Sequence, residues 1–373
     1  MGVLAYLRVR VGLLLRSRIV VGAAVLLVSA CSLSSLVPLE TSFGPGLYHA
    51  RREALGLAME RGEVRAEDDE QADLFLAYDA ALVSLEQDRP GLTGNWHAFL
   101  GNATRAAETA LRMAEVGLCP FGVGGVGSES SVRAELALAS ALHEGGWTVF
   151  GSTASQPALL RLAAVPSLLP GAMWCLPTLV IVCALGLDRS GGRLLAQAPV
   201  GLRSAAFMDT GLAWAFGMLL VVLAWGVAAL VALRNGVGDL GYPVVRVAAE
   251  GPSIITVGSA ILGAMVALAI STLVIALFAT AVSMGARPWL PALVAGVLLL
   301  LGAVLAEASG GKALSPLRAM NPLSMAPVAC YPGDAGWGLL VGNPGDATPL
   351  VLVALGAFAL VVLLFPHMRS RGM

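Results

Sequence analysis

The chain has 373 residues and a net charge of -1, is 57% hydrophobic and only 13% charged, and has a mean hydropathy of +0.80. Soluble domains place about a quarter of their residues in Asp, Glu, Lys and Arg, so this composition excludes an ordinary soluble protein and reads as a membrane protein. Acidic residues gather between positions 40 and 144, and arginines recur there as well as at the ends and in one loop, so the net value says little about partners and no nucleic-acid partner is expected.

Residues 3 to 18, VLAYLRVRVGLLLRSR, mix apolar residues with arginine ahead of a hydrophobic run. This suits a helix lying in the inner membrane interface, apolar side toward lipid and arginine toward phosphates. The bland reading is the start of the first span with positive flanks. The run that follows contains Val28-Ser29-Ala30-Cys31, which resembles a lipoprotein cleavage box. Small residues and a cysteine are ordinary within a span, and the uncleaved reading is preferred.

A bilayer core of roughly 30 Å takes about 20 apolar helical residues. Six runs meet that length, at 19–37, 168–187, 211–233, 254–284, 289–306 and 349–366. Arg8, Arg10, Arg16 and Arg18, then Arg189, Arg193 and Arg203, then Arg287, and finally Arg369 and Arg371 fall on one side of these spans. The positive-inside rule therefore places both termini in the cytoplasm. The expected fold is an all-α polytopic membrane protein of six transmembrane helices. Its divisions are an interfacial helix at 1–18, a first span at 19–37, a large extracytoplasmic domain at 38–165, and the remaining spans at 166–373.

Domain 38–165 reads as mostly helical. Glu70 to Asp88 is amphipathic, and Trp96, Phe99, Leu100, Ala103, Ala107, Leu111 and Ala114 recur at helical spacing behind Asn95, a capping residue. A third helical stretch ends at Gly145 and Gly146. The acidic run EDDEQAD at 67–73 lacks the glycine and spacing of a calcium loop and reads as a solvated helix start, where carboxylates suit the helix dipole.

No enzyme motif is present. GVGGVGSES at 122 has no lysine, and Lys312 in SGGKAL lacks the upstream glycine of a phosphate-gripping loop, so this chain is not expected to hydrolyse ATP alone. His49, His97, His143 and His367 are scattered singly, and Cys31, Cys119, Cys175, Cys183 and Cys330 show no metal or redox spacing. Cys119 and Cys330 both fall outside in this topology, which leaves a disulfide between them open. No carboxylate or histidine lies in mid-span; Asp209 and Glu307 sit at span ends, which argues against ion coupling through membrane carboxylates.

The segment LDRSGGRLLAQAPVGLRSAAFMD joins the second run to the third on the cytoplasmic side. Physical reasoning leaves two readings open: a surface element receiving force from a docked soluble partner, or a plain loop whose arginines enforce topology. Here Asp188-Arg189-Ser190-Gly191, Leu194-Leu195 and Pro199-Val200-Gly201, together with Asn321-Pro322-Leu323 between the last two runs, resemble the permease subunits of type-two ATP-binding-cassette exporters. The resemblance covers residues 1–37 and 166–373. It departs at Arg193, where the family has Glu, and at Asp209, where Lys is frequent.

The resemblance implies a bacterial plasma-membrane permease without catalytic or cofactor-binding residues of its own. It would pair with a second permease, identical or related, and dock on separate cytoplasmic ATPase subunits that hold ATP and Mg. The coupling loop 188–209, with Asp188, Arg189, Gly191, Arg193, Pro199 and Arg203, would contact those subunits, and Asn321 and Pro322 would mark an outer-loop motif. Family substrates include drugs, lipids, polysaccharides and antimicrobial peptides. The alternative is a membrane sensor or assembly protein whose outer domain binds a ligand or partner without transport.

Overall fold

A computed structural model describes residues 2–36, 45–62, 65–87, 95–118, 129–150, 155–165, 171–190, 202–248 and 251–285, with a few positions beyond them. The fold is mostly helical. In chain order the elements are α1 (Gly2–Arg16), α2 (Arg18–Leu36), α3 (Pro45–Glu60), α4 (Asp69–Gln87), α5 (Trp96–Glu115), α6 (Glu129–Gly145), α7 (Ala158–Ala164), α8 (Gly171–Ser190) and α9 (Leu202–Ala232). They are followed by β1 (Pro243–Ala248), β2 (Gly251–Thr256) and α10 (Val257–Gly285).

Two stretches, Arg203–Asn235 and Val257–Ser283, are long and apolar enough to cross a membrane. A third span results if α1 and α2, bent by 61° at their junction, act as one. The break follows from Ser17, whose hydroxyl accepts the Val20 amide at 3.4 Å and so caps α2 instead of continuing α1. The apolar part of α8, Trp174–Leu187, is shorter. The expected fifth and sixth spans lie almost wholly outside the described residues.

Helices α2, α8, α9 and α10 pack into a bundle. One end of its interior joins Leu27 and Cys31 to Trp174, Val221, Ala224, Trp225, Ala228, Ala264 and Leu268, with Trp174 and Trp225 edge-to-face at 6.2 Å. The other joins Leu14 and Val20 to Cys175, Leu179, Ala213, Ile275 and Ala279. Small residues at the contacts let the backbones approach, as membrane bundles require where no hydrophobic drive acts between helices. Gly217 is the tightest case: a Cβ there would strike the Thr178 hydroxyl and lie 3.3 Å from the Thr178 Cα. Cys31 is fully buried in α2 among these residues.

Helices α3 to α6 form a separate helical domain. The acidic run starts α4 as its composition implies: Asp68 Oδ1 accepts the Gln71 amide at 2.8 Å and Gln71 Oε1 accepts the Glu67 amide at 2.7 Å, with Asp69 and Glu70 in the first turn. Asn95 Oδ1 accepts the Ala98 amide at 3.2 Å and so caps α5. That helix buries Phe99, Leu100, Ala103, Ala106, Ala107, Ala110 and Met113. Its alanine stripe admits α4 on one side and α6 on the other, while Phe99 meets the rings of Phe43, Tyr48 and Trp96 edge-on.

Two expectations need correction. The chain is not all-α: strands 243–248 and 251–256 pair as an antiparallel hairpin with Val245 opposite Ile254, so residues 254–256, expected at the start of a span, belong to a strand. The valines of PVVRVA favour a pleated surface, and Gly251 at φ +117° takes a conformation open to glycine alone. The helical domain is also not closed within 38–165, because fully buried Val245 of β1 sits in its core, and Tyr242 packs on Trp147 and Phe150.

Candidate functional site

At the start of α9 three side chains close a buried polar ring. Arg10 Nη2 donates to Asp209 Oδ2 at 3.1 Å, Arg10 Nε donates to the Tyr6 hydroxyl at 3.0 Å, and that hydroxyl donates to Asp209 Oδ1 at 2.9 Å. Arg10 and Asp209 are each 2% exposed. The geometry follows from helix periodicity: Tyr6, Arg10 and Leu14, four residues apart, share one face of α1 and are buried, while Leu4, Val9 and Leu15 point outward. This corrects the expected arrangement of α1, since Arg10 turns inward to a carboxylate and not toward phosphates. Arg8 and Arg16 are exposed.

Asp209 stands two turns inside α9, so the segment expected to be loop through residue 209 is helical from Leu202. The ring therefore joins α1 to the helix that opens immediately after the polar segment 191–201. A buried ion pair with both partners hydrogen-bonded is tolerated in an apolar setting, and it fixes one face of α1 against one turn of α9. The sequence reading missed this site. Its available signal was that Asp209 is the only carboxylate between Asp188 and Asp239, in a stretch where an acid needs a partner.

Of the residues expected to form the coupling surface, Asp188 and Arg189 lie in the last turn of α8 and Arg203 is exposed in the first turn of α9. Gly191, Arg193 and Pro199, like Asn321 and Pro322, lie outside the described residues, as do Cys119 and Cys330.

The opposite end of α9 is bound to the segment that opens α7 and, through Tyr242, to the helical domain. Asn235 Nδ2 donates to the Gln156 carbonyl at 2.9 Å, and the amides of Ala158 and Leu159 donate to the carbonyls of Gly236 and Val237 at 3.0 and 2.9 Å. Gly238, at φ +87°, places its α-carbon where a Cβ would lie 2.9 Å from Pro157 Cγ, so only glycine fits. The Tyr242 hydroxyl donates to the Thr148 carbonyl at 3.0 Å.

The helical domain holds a second cluster of the same chemistry. Arg51 lies against Glu135 at 2.8 and 3.1 Å, and the Tyr48 hydroxyl donates to Glu135 Oε1 at 3.1 Å. Burial raises the Tyr48 phenol well above its ordinary range, and the Glu135 charge adds to this. Burial draws the Arg51 guanidinium down, but Glu135 outweighs it and leaves Arg51 above its ordinary value. Neighbouring Tyr78 is pushed up to about 12, chiefly by burial. His97 and His143, apart in sequence, are stacked at 3.8 Å. Among the described residues no three His, Cys, Asp or Glu side chains gather as a metal site.

No family model, no curated protein and no solved structure matches this chain.

Proposed function

We propose that the chain is the membrane-spanning permease subunit of an ATP-binding-cassette exporter, driven by ATP hydrolysed on separate cytoplasmic subunits. One observation carries this reading beyond the sequence resemblance: α9 is a single helix pinned at both ends. Its first turns hold α1 through the Arg10–Asp209 pair, and the residues following its end are bonded to the segment that opens α7 and, through Tyr242, to Thr148 of the helical domain. At 1.5 Å per residue its 31 residues span about 46 Å, more than a bilayer core of about 30 Å. A displacement of segment 188–201 by a docked ATPase is thereby delivered through one rigid element to the far side.

In this reading both termini face the cytoplasm of a bacterial cell, and domain 38–165 with hairpin 243–256 lies outside. ATP binding closes the partner subunits, and the permease shifts because the two conformations contact those subunits differently. The substrate class, a drug, lipid or peptide, comes from the resemblance. A second permease chain completes the pathway.

The test is affinity purification of the full chain from its native membrane. A nucleotide-hydrolysing subunit should copurify in fixed ratio, and reversing the charges of Asp188 and Arg193 should release it while membrane insertion persists. If no hydrolase accompanies the chain, or if the reversed variant retains it with full activity, the permease reading fails. Capture of a ligand or partner by the outer domain without any hydrolase favours the sensor reading.

A further inference from the structure

We propose that the outer face of α2 is a binding site for one anionic phospholipid, its phosphate held between Arg16 and Arg18 and an acyl chain lying along the helix. The inference needs only that α2 lies in a bilayer; it does not depend on permease activity. A hollow of about 770 Å³ runs down this face, lined by Arg16 and Arg18 at one end and by Gly22, Val25, Ser29 and Leu33 below them. From Arg18 to Leu33 it extends about 22 Å at the helical rise, longer than the roughly 15 Å of one leaflet's hydrocarbon. Gly22 has no neighbouring atom within 4 Å of where a Cβ would stand, so the hollow is open there.

Charge decides the occupant. Arg16 and Arg18 are both exposed, and among the described residues neither has a carboxylate partner. No acidic residue precedes Glu40 in the chain, so α1 and α2 carry nothing that could neutralise them. A second copy packed here across a two-fold axis, with the same topology, would bring each arginine pair toward its own counterpart, and like charges in a low-dielectric setting repel. An anionic headgroup supplies the missing charge. Its phosphate accepts from two guanidiniums, and each buried methylene of its tail adds to binding. Basic recesses at helix ends on the membrane surface recognise anionic lipid in this way.

The experiment uses the full chain in nanodiscs of phosphatidylcholine with a minor fraction of phosphatidylglycerol, followed by detergent extraction, size-exclusion chromatography and lipid analysis. The wild-type chain should retain phosphatidylglycerol enriched over its share of the bilayer. Gly22→Phe and Ser29→Phe fill the hollow without altering charge, and the double variant Arg16→Gln, Arg18→Gln removes the charge and leaves the hollow. Each should bring retention back to the bilayer's own proportion while eluting as wild type does. If wild type shows no enrichment, the site is overturned outright; if both filled variants keep it while only the charge variant loses it, the site is overturned in favour of surface attraction alone. Efficient disulfide-linked dimerisation of Ser29→Cys in membranes overturns it in favour of a second copy.

Discussion

Replacing Asp209 by leucine removes the carboxylate that faces the Arg10 guanidinium, which is 2% exposed. At the observed 3.1 Å and an effective dielectric of about 20, the lost attraction is about 5 kcal/mol. Measured losses from breaking one side of a buried pair run at about 3–5 kcal/mol. A loss of that size lowers the apparent melting temperature by on the order of 5–10 °C. The double variant Arg10→Leu, Asp209→Leu removes both charges, and such replacement is often neutral, so it should melt within a few degrees of wild type. The assay is tryptophan fluorescence of the full chain in nanodiscs during heating, run as a double-mutant cycle. If Asp209→Leu melts as wild type does, or if the double variant loses the sum of the two singles, the pair does not hold α1 to α9 and the reasoning fails.

In the helical domain, Glu135→Ala leaves Arg51 buried without its carboxylate and should cost about 3–5 kcal/mol, read as lost hydrogen-exchange protection across α3 and α6 with the bundle unaffected. Gly217→Ala drives a methyl group into Thr178 and should cost about 1–3 kcal/mol by overpacking. Adding Thr178→Ala, which deletes the hydroxyl it strikes, should recover part of that loss in a thermal melt. Tyr78 holds its proton to about pH 12 when folded against an ordinary value of 10.0. Its contribution is therefore complete below pH 10 and declines as pH rises from 10 to about 12, by on the order of 3 kcal/mol. Melting across that window should fall with pH, and more shallowly in Tyr78→Phe; equal slopes would refute the assignment.

Much of the helical framework was legible because its causes are local. The run at 19–37 became α2, the cap at Asn95 opens α5, and the carboxylate-rich start of α4 sits where dipole and capping arguments put it. The runs expected at 168–187 and 254–284 coincide with α8 and α10 to within a few residues. What sequence reading missed is long-range. Arg10 looked like one more positive flank because its partner lies on another helix, and a single buried acid gives no periodic signal. His97 and His143 became neighbours only through the packing of α5 on α6. PVVRVA was too short to stand out between two spans, and nothing local shows that Val245 belongs to the core of a domain encoded far upstream.

That borrowed strand constrains the order of synthesis. The helical domain emerges from the ribosome early, yet the residue that completes its core is made only after α8 and α9 have been translated. During that interval the β1-facing side of α6 is uncovered, and sealing it requires a long-range contact of the slow kind. Domain maturation thus waits on synthesis of the helices that separate it from its last strand. A fragment ending at residue 165 should show exposed apolar surface and bind a hydrophobic dye, whereas supplying residues 236–256 in trans should quench that signal.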